Sequence, residues 1–389
     1  MVRIEAEIPH DICVRCAGRI FALVDSGLTN TGRGEMLQFA IRSLTGNRDF
    51  SFVPERSCRV CRGTFLQMEK YLSMFLDATS GYEFSTFLVG STFPEETVSE
   101  EQAIQALFPG LGESIKREFN RELGKLISSK TGKQHDRKEP DIIANYDLRY
   151  DTLSLTVRGF YVKGRYRKLS REIPQTRWIH RVGDDRSVEY FIGKPLCDML
   201  GGKEYHLHAA GREDVDVRML GSGRDFVIEV VNPRIRHLDL EEFRERVNAS
   251  GYVEVDALSL AGPDDVVKVK SLQHEKTYEA VVRGEGSIDC SRLREALSSI
   301  SGKLIYQRTP LRVSGRRADK IRPKRIVAAS LLWCEGDRAA IRVRAEAGTY
   351  IKEMVSGDGG RTKPSLSSLY GSPLVVSELD VVEIHREGG

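Results

Sequence analysis

The sequence predicts an α+β protein in two parts. A helix-rich amino-terminal accessory region comes first, followed by a larger domain with a largely antiparallel sheet flanked by helices. Three observations predict this. Through roughly the first 130 residues, apolar side chains recur at helical spacing. After a polar run at 128–141, SSKTGKQHDRKEPD, the apolar period changes to two. Four of the seven cysteines form two C-x-x-C pairs, so a metal cluster organises the front of the chain. At 389 residues the chain is also too long for one ordinary core.

Cys13 and Cys16 lie in CVRC, and Cys58 and Cys61 in CRVC. A two-residue spacing turns both thiolates of a pair onto one ion, and two such pairs complete a tetrahedral zinc site. A redox C-x-x-C motif does not need a second pair. Disulfides are not expected, and Cys197, Cys290 and Cys334 read as core residues. FLQMEKYLSMFL places Phe65, Met68, Leu72 and Phe75 on one helical stripe, and ESIKREFNRELGKL does the same for Ile115, Phe119 and Leu123. YEFSTFLVGST between them reads as a strand.

Beyond the polar run, TLSLTVRGF, DFVIEVVNP, GYVEVDALSL, VVKVKSL, TYEAVVRG and AIRVRAEAGTY read as strands. SVEYFIGKPLCDMLG, DLEEFRERVNAS and CSRLREALSSISG read as helices. Composition (40% apolar, 30% charged) fits a soluble globular chain. The start, MVRIEAEIPHD, has no apolar run, and no stretch is apolar enough to span a bilayer, so a cytoplasmic protein without membrane contact is expected.

Net charge is only +3, but the basic residues are concentrated. The stretch 163–181 carries seven Lys/Arg against one acid, and 303–325 carries nine against one. Two basic segments on a near-neutral chain suggest a polyanion surface, although either segment alone also fits a solvated loop. Arg165, Tyr166, Arg167 and Lys168 combine charge with an aromatic that can stack on a base, while Arg316, Arg317, Lys320 and Arg322 form the second cluster.

The most informative stretch is GREDVDVRMLGSGR, where Glu213, Asp214 and Asp216 crowd into four positions beside Arg212. On an extended strand Asp214 and Asp216 share a face, which suits a divalent metal, but no third ligand of like character is near in sequence. A nucleophilic or basic aspartate instead needs a cationic partner and donors around it, and Arg212 with a distant Lys or Arg can supply these. Periodicity does not choose between the two aspartates. Nor does it lift Tyr278, in KTYEAVV, or Lys352, in AGTYIKEM, above a packed tyrosine and a surface lysine.

Together these segments resemble a family. G-R-x-D, K-x-Y-x-A-x-V, and G-T-Y-I-K followed by G-D-x-G are similar to the three signature segments of pseudouridine synthases. The likeness is closer to the archaeal and eukaryotic tRNA pseudouridine synthases of the Pus ten branch, through GRYRKLSREIPQTRW, QRTPLRV with RRAD, and GRTKPS. The resemblance implies three regions: a zinc-binding stretch over 1–80, a THUMP-like RNA-binding segment over 81–138, and a pseudouridine synthase domain over 139–389. It implies Asp214 as the catalytic aspartate, with Asp216 as a structural neighbour. Tyr278 would be the tyrosine packed on the base and a candidate proton acceptor. Lys352 would be the cation that pairs with the aspartate, and Leu366 a hydrophobe near the uracil. Arg212 and both basic clusters would grip RNA.

The implied reaction is isomerisation of uridine 54 or 55 in the tRNA T-loop. It needs no redox or nucleotide cofactor, structural zinc is the one metal expected, and the enzyme is expected to act as a monomer. A non-catalytic RNA-binding protein on the same fold is the alternative, but it has no use for Asp214 paired with Lys352. A magnesium-dependent nuclease using Asp214 and Asp216 is the third reading; it would lose activity on chelation of magnesium. Gly315 and Ser356 depart from the family pattern, which often has histidine at both places.

Overall fold

The computed structural model describes residues 8–24, 27–177, 186–315 and 318–386, and the chain divides into two compact units, Met1–Arg158 and Gly159–Gly389.

The first unit opens with α1 (Val14–Arg19), capped at its amino end by the sulfur of Cys13, followed by α2 (Asn30–Thr45). These helices cross at glycines. A β-carbon on Gly18 would lie 1.8 Å from the Asn30 carbonyl oxygen, and one on Gly34 would lie 1.9 Å from that of Val14. The unit continues through α3 (Met68–Thr79), β1 (Thr86–Thr92), α4 (Glu95–Gln105), α5 (Ile115–Thr131), β2 (Gln134–His135), β3 (Ile142–Asp147) and β4 (Thr152–Val157). Its sheet runs β2-β1-β3-β4, parallel around β1 and antiparallel between β3 and β4. The two helical stripes read from sequence pack as expected: Phe119 of α5 meets Tyr71 of α3 edge-on at 5.2 Å and Tyr146 of β3 at 6.1 Å.

This placement corrects the expected boundary. The polar run at 128–141 is not the break between units, because β3 and β4 belong to the first sheet, and the division falls after Arg158. Alternation states which face of a strand is buried but not which sheet the strand joins.

The second unit contains β5 (Phe160–Lys168), α6 (Val188–Leu200), β6 (Glu204–Ala209), β7 (Val217–Val231), α7 (Leu240–Asn248), β8 (Val253–Ala261), α8 (Pro263–Ser271), β9 (Glu275–Gly284), α9 (Cys290–Ile300), β10 (Leu304–Arg308), β11 (Ile321–Glu335), β12 (Arg338–Ala345), α10 (Ile351–Ser356), β13 (Thr362–Lys363), α11 (Leu366–Tyr370) and β14 (Leu374–His385). Among the described residues it holds a ten-stranded sheet, β13-β10-β11-β12-β9-β14-β7-β5-β8, with β6 paired to β7. Every pair is antiparallel except β14 with β7, so the expected sheet type holds. β9 lies near its middle, with Tyr278 opposite Val343 on one side and Val381 on the other.

Two expectations fail here. VVKVKSL read as a strand but lies mainly in α8, because Pro263 at the helix start and Asp265, whose carboxylate accepts the Gly262 N–H at 3.1 Å, nucleate a helix that puts Val269 inside. Cys290 and Cys334 read as separate core residues but form a disulfide, because α9 lies against β11 and brings together positions 44 residues apart. Cys197 is buried as a free thiol, as expected.

Candidate functional site

The segment 210–216 crosses from β6 to β7 and carries the three carboxylates. Gly211, at φ +91°, makes the turn. Buried side chains grip its backbone almost residue by residue. Arg224 donates to the Ala210 carbonyl at 2.6 Å, Gln175 to that of Gly211 at 2.9 Å, and Lys168 to those of Asp214 and Val215 at 3.0 and 2.7 Å. Lys168 also donates to Ile173 O at 2.8 Å, and burial pushes its pKa down to about 8. The Glu213 carboxylate turns inward, 3.1 Å from Arg224 Nε and 2.9 Å from the Tyr166 hydroxyl through either oxygen. One acid of the cluster is thus structural, fixing the loop from below, and the two aspartates face outward.

Their cations come from two other segments. Buried Gln307 of β10 clamps Tyr350, accepting its N–H and donating to its carbonyl, both at 2.9 Å. This sets the start of α10, whose second residue is Lys352. Lys352 Nζ lies 2.8 Å from both oxygens of Asp216 and 3.6 Å from Asp214. The nearer partner of Asp214 is Arg312, at 2.8 Å, and Arg312 is itself held by buried Glu353 at 2.6 Å. Burial opposes the charge on Arg312, but Glu353 and Asp214 outweigh it and raise its pKa. For Asp216, burial raises the carboxyl pKa, while Lys352 reverses this and leaves it below the usual range.

Asp214, Tyr278, Lys352 and Arg212 open onto one cavity of about 190 Å³, with Lys276 beside Tyr278 and an apolar wall of Val217, Leu379 and Val381. Asp216 does not line it. Burial pushes the Tyr278 hydroxyl up to about 12, so the ring is neutral at physiological pH. A carboxylate, the three cations Arg212, Lys276 and Lys352, and an aromatic around a half-enclosed space form a site for a planar, polar ligand.

Several expected contributors lie elsewhere. Leu366 is fully buried in the hydrophobic core as the first residue of α11 and does not line the cavity, whose apolar wall is Val217, Leu379 and Val381. Tyr166 and Lys168 are not an RNA-facing pair, because β5 runs inside the sheet and turns both beneath the loop. Arg167 pairs with Glu254 at 2.9 Å and Asp256 at 2.7 Å, and Arg165 lies 3.6 Å from Asp225, so both of these arginines are offset by carboxylates of the fold. Arg316 and Arg317 lie outside the described residues. Lys320 is exposed, while Arg322 donates to Thr309 at 2.9 Å. Sequence reading missed Arg312, Glu353, Arg224 and Lys276. All four stand inside segments already singled out, Arg224 in GREDVDVRMLGSGR, Lys276 in KTYEAVV, Arg312 in QRTPLRV and Glu353 in AGTYIKEM, and that was the only available signal.

In the first unit, the sulfurs of Cys13, Cys16, Cys58 and Cys61 are buried and lie within 4.8 Å of one another. Cys13 and Cys61 are 3.6 Å apart, and Cys16 and Cys58 3.5 Å, close to the edge of about 3.8 Å that a tetrahedral ion with 2.3 Å bonds requires. Backbone N–H of Cys13 points at the Cys58 sulfur (3.2 Å), and Arg19 donates to that of Cys16 (3.4 Å), as suits thiolates. Four such sulfurs can hold a metal ion. No helix among the described residues is long and apolar enough to cross a membrane.

The profile of the Pus10 C-terminal domain matches residues 161–385, and that of the archaeal Pus10 THUMP domain matches 71–147. A tRNA pseudouridine synthase Pus10 of Thermoplasma acidophilum is 48% identical over 387 residues, covering 99% of each chain. Its counterpart from Picrophilus torridus is 47% identical over 377 residues, covering 97% of each. A solved Cbf5-Nop10-Gar1 complex aligns with 57% of this chain and 58% of its own at 17% identity and TM-score 0.31, a likeness too slight to bear on the site.

Proposed function

From the premise that this chain belongs to the Pus10 family, we propose that it isomerises uridine to pseudouridine in tRNA, at position 54 or 55 of the T-loop, in the cavity that carries Asp214. The observation that carries the reading is the meeting of Asp214, Tyr278 and Lys352, from three distant segments, on one small cavity. A uridine must leave its stack to enter such a space, which costs a few kcal/mol and calls for a firm grip on the backbone.

Inside, the bond from ribose C1′ to uracil N1 breaks and its electron pair leaves with the base. Asp214 either captures C1′ as an ester or takes a ribose proton, giving a glycal. The freed uracil turns against Tyr278 and its C5 joins C1′, as the C1′–O ester bond breaks or, on the glycal route, as the proton returns to the ribose. The C5 proton then leaves to solvent and N1 takes one up, which restores the ring. With its hydroxyl held protonated, Tyr278 serves as the packing surface rather than as the proton acceptor. Arg312 and Lys352 orient the aspartate and offset its charge. The step is internal to the substrate, so none of it needs an electron carrier or a nucleotide.

In the first unit the four cysteines would hold zinc, which ties α1 to the 58–61 turn, and the THUMP region would bind tRNA apart from the reacting base. The protein would act as a cytoplasmic monomer. The test is a tRNA transcript incubated with protein, treated with carbodiimide and read by primer extension. Stops at uridine 54 or 55 with the wild type, absent with Asp214→Asn, are expected. Because Lys352 lies closer to Asp216, Asp216→Asn belongs in the same assay. An inactive Asp216→Asn beside an active Asp214→Asn would transfer the catalytic role.

A further inference from the structure

Lys276 and Lys168 are both buried lysines of the second unit, but their surroundings differ. Lys168 donates to three carbonyls at 2.7 to 3.0 Å. Lys276 is 8% exposed, and among the described residues its ammonium meets one acceptor, the His274 carbonyl at 3.3 Å, and no carboxylate. The charges that bear on it most are cationic: Arg224 of β7 and Lys324 of β11 both disfavour its own charge. A buried ammonium short of acceptors is costly, and here the shortfall is at the wall of the cavity.

Lys276 also precedes Tyr278 by two residues on one face of β9, about 7 Å along the strand. A ring packed on Tyr278 would therefore present an edge towards Lys276.

Resting on the synthase reading above, we propose that Lys276 donates to a carbonyl oxygen of the target uracil and stabilises the anion that forms when the base leaves ribose. When the C1′–N1 bond breaks, its electron pair stays on the uracil and spreads over N1, O2 and O4. An N–H of Lys276 meets one of these oxygens, and the proton remains on the lysine. When C5 bonds to C1′ the ring charge returns to zero, so the interaction is strongest midway, where catalysis needs it.

Burial, then Arg224 and Lys324, lower the pKa of Lys276 to about 8, so it is mostly charged at neutral pH and loses that charge just above. The other charged groups facing the cavity are Arg212, Asp214 and Lys352, with Glu213 beneath, paired to Arg224.

The test is single-turnover pseudouridine formation with excess enzyme, for wild type, Lys276→Met and Lys276→Arg, alongside tRNA affinity by filter retention. Lys276→Met is expected to slow the step on the order of 10²–10³-fold with tRNA affinity unchanged. The wild-type rate should fall as pH rises past about 8, and Lys276→Arg should move that fall beyond pH 9. The proposal is overturned if Lys276→Met stays within about threefold of wild type, or if its loss is wholly one of affinity, which would assign the lysine to a backbone phosphate. It is also overturned if the alkaline fall stays in place with Lys276→Arg, a result that stands even if Lys276→Met does not fold. A wild type that makes no pseudouridine would instead sink the synthase reading itself.

Discussion

Each unit buries an arginine against carboxylate beside its functional centre, and the two arrangements differ in what they hold. In the first, Arg19 meets Glu101 at 2.9 Å and Glu118 at 3.1 Å, joining α1 to α4 and α5, and its remaining nitrogen donates to the Cys16 sulfur. In the second, Arg224 meets Glu213, which it shares with Tyr166, and spends another nitrogen on the Ala210 carbonyl. The first network joins secondary-structure elements around a cluster, so breaking it should loosen a whole unit. The second grips one loop, so breaking it should misplace Asp214 while the sheet endures. The same chemistry thus serves integrity in one place and placement in the other.

The contrast is strained hardest by removing the metal that the four cysteines would hold. Structural zinc contributes roughly 10–16 kcal/mol in small domains, so a chelator, or Cys58→Ser, should unfold the first unit and leave the second intact. Proteolysis followed by mass mapping checks this, and equal protection of both units would count against a structural metal.

Next come the arginines themselves. Losing one partner of a buried pair costs about 3–5 kcal/mol, because the other charge is stranded. Arg19→Met should lower the melting midpoint of the first unit. Arg224→Met should cut turnover more than it lowers thermal stability, and the reverse order in the two variants would erase the distinction.

A smaller effect follows from the buried lysines. Lys168 and Lys276 both have folded pKa values near 8, below those of the unfolded chain. Between about pH 8 and 10 the unfolded state therefore holds more protons, and stability should rise with pH by roughly 1–3 kcal/mol. Above pH 10 the sign reverses, since Tyr278, raised to about 12, keeps a proton that the unfolded chain loses. Urea titrations across this window test it, and Lys168→Met should flatten the rise. Activity, which needs charged Lys276, should fall where stability climbs.

The smallest effect belongs to the second basic segment of the sequence. Removing Arg316 and Arg317 should weaken tRNA binding and lower the slope of log affinity against log salt by about 0.7–0.9 for each phosphate no longer neutralised. An unchanged slope would leave that cluster as a solvated loop.

Much of the fold was legible because local physics carries it: a strand's alternation marks Tyr278 as inward-facing whatever lies opposite. The helical VVKVKSL shows the limit, since an alternating pattern loses to a proline start and a capping aspartate. At the site, Asp214, Tyr278 and Lys352 were found through signature segments, and the structure brings them to one cavity. The cradle beneath them was not legible. Tyr166 and Lys168 looked like RNA contacts because charge and aromaticity in sequence do not say which way a strand faces.

Neighbours within a few residues set most of the elements and the two cysteine pairs, and the signature segments pointed to the candidate site residues, so these could be read along the chain. The partners were decided only in three dimensions: Arg312 nearest Asp214, Lys352 nearest Asp216, β3 and β4 in the first sheet, Cys290 with Cys334. Such pairings depend on distances of 2.8 to 3.6 Å between side chains about a hundred positions apart, which sheet register and helix docking set and no local pattern encodes.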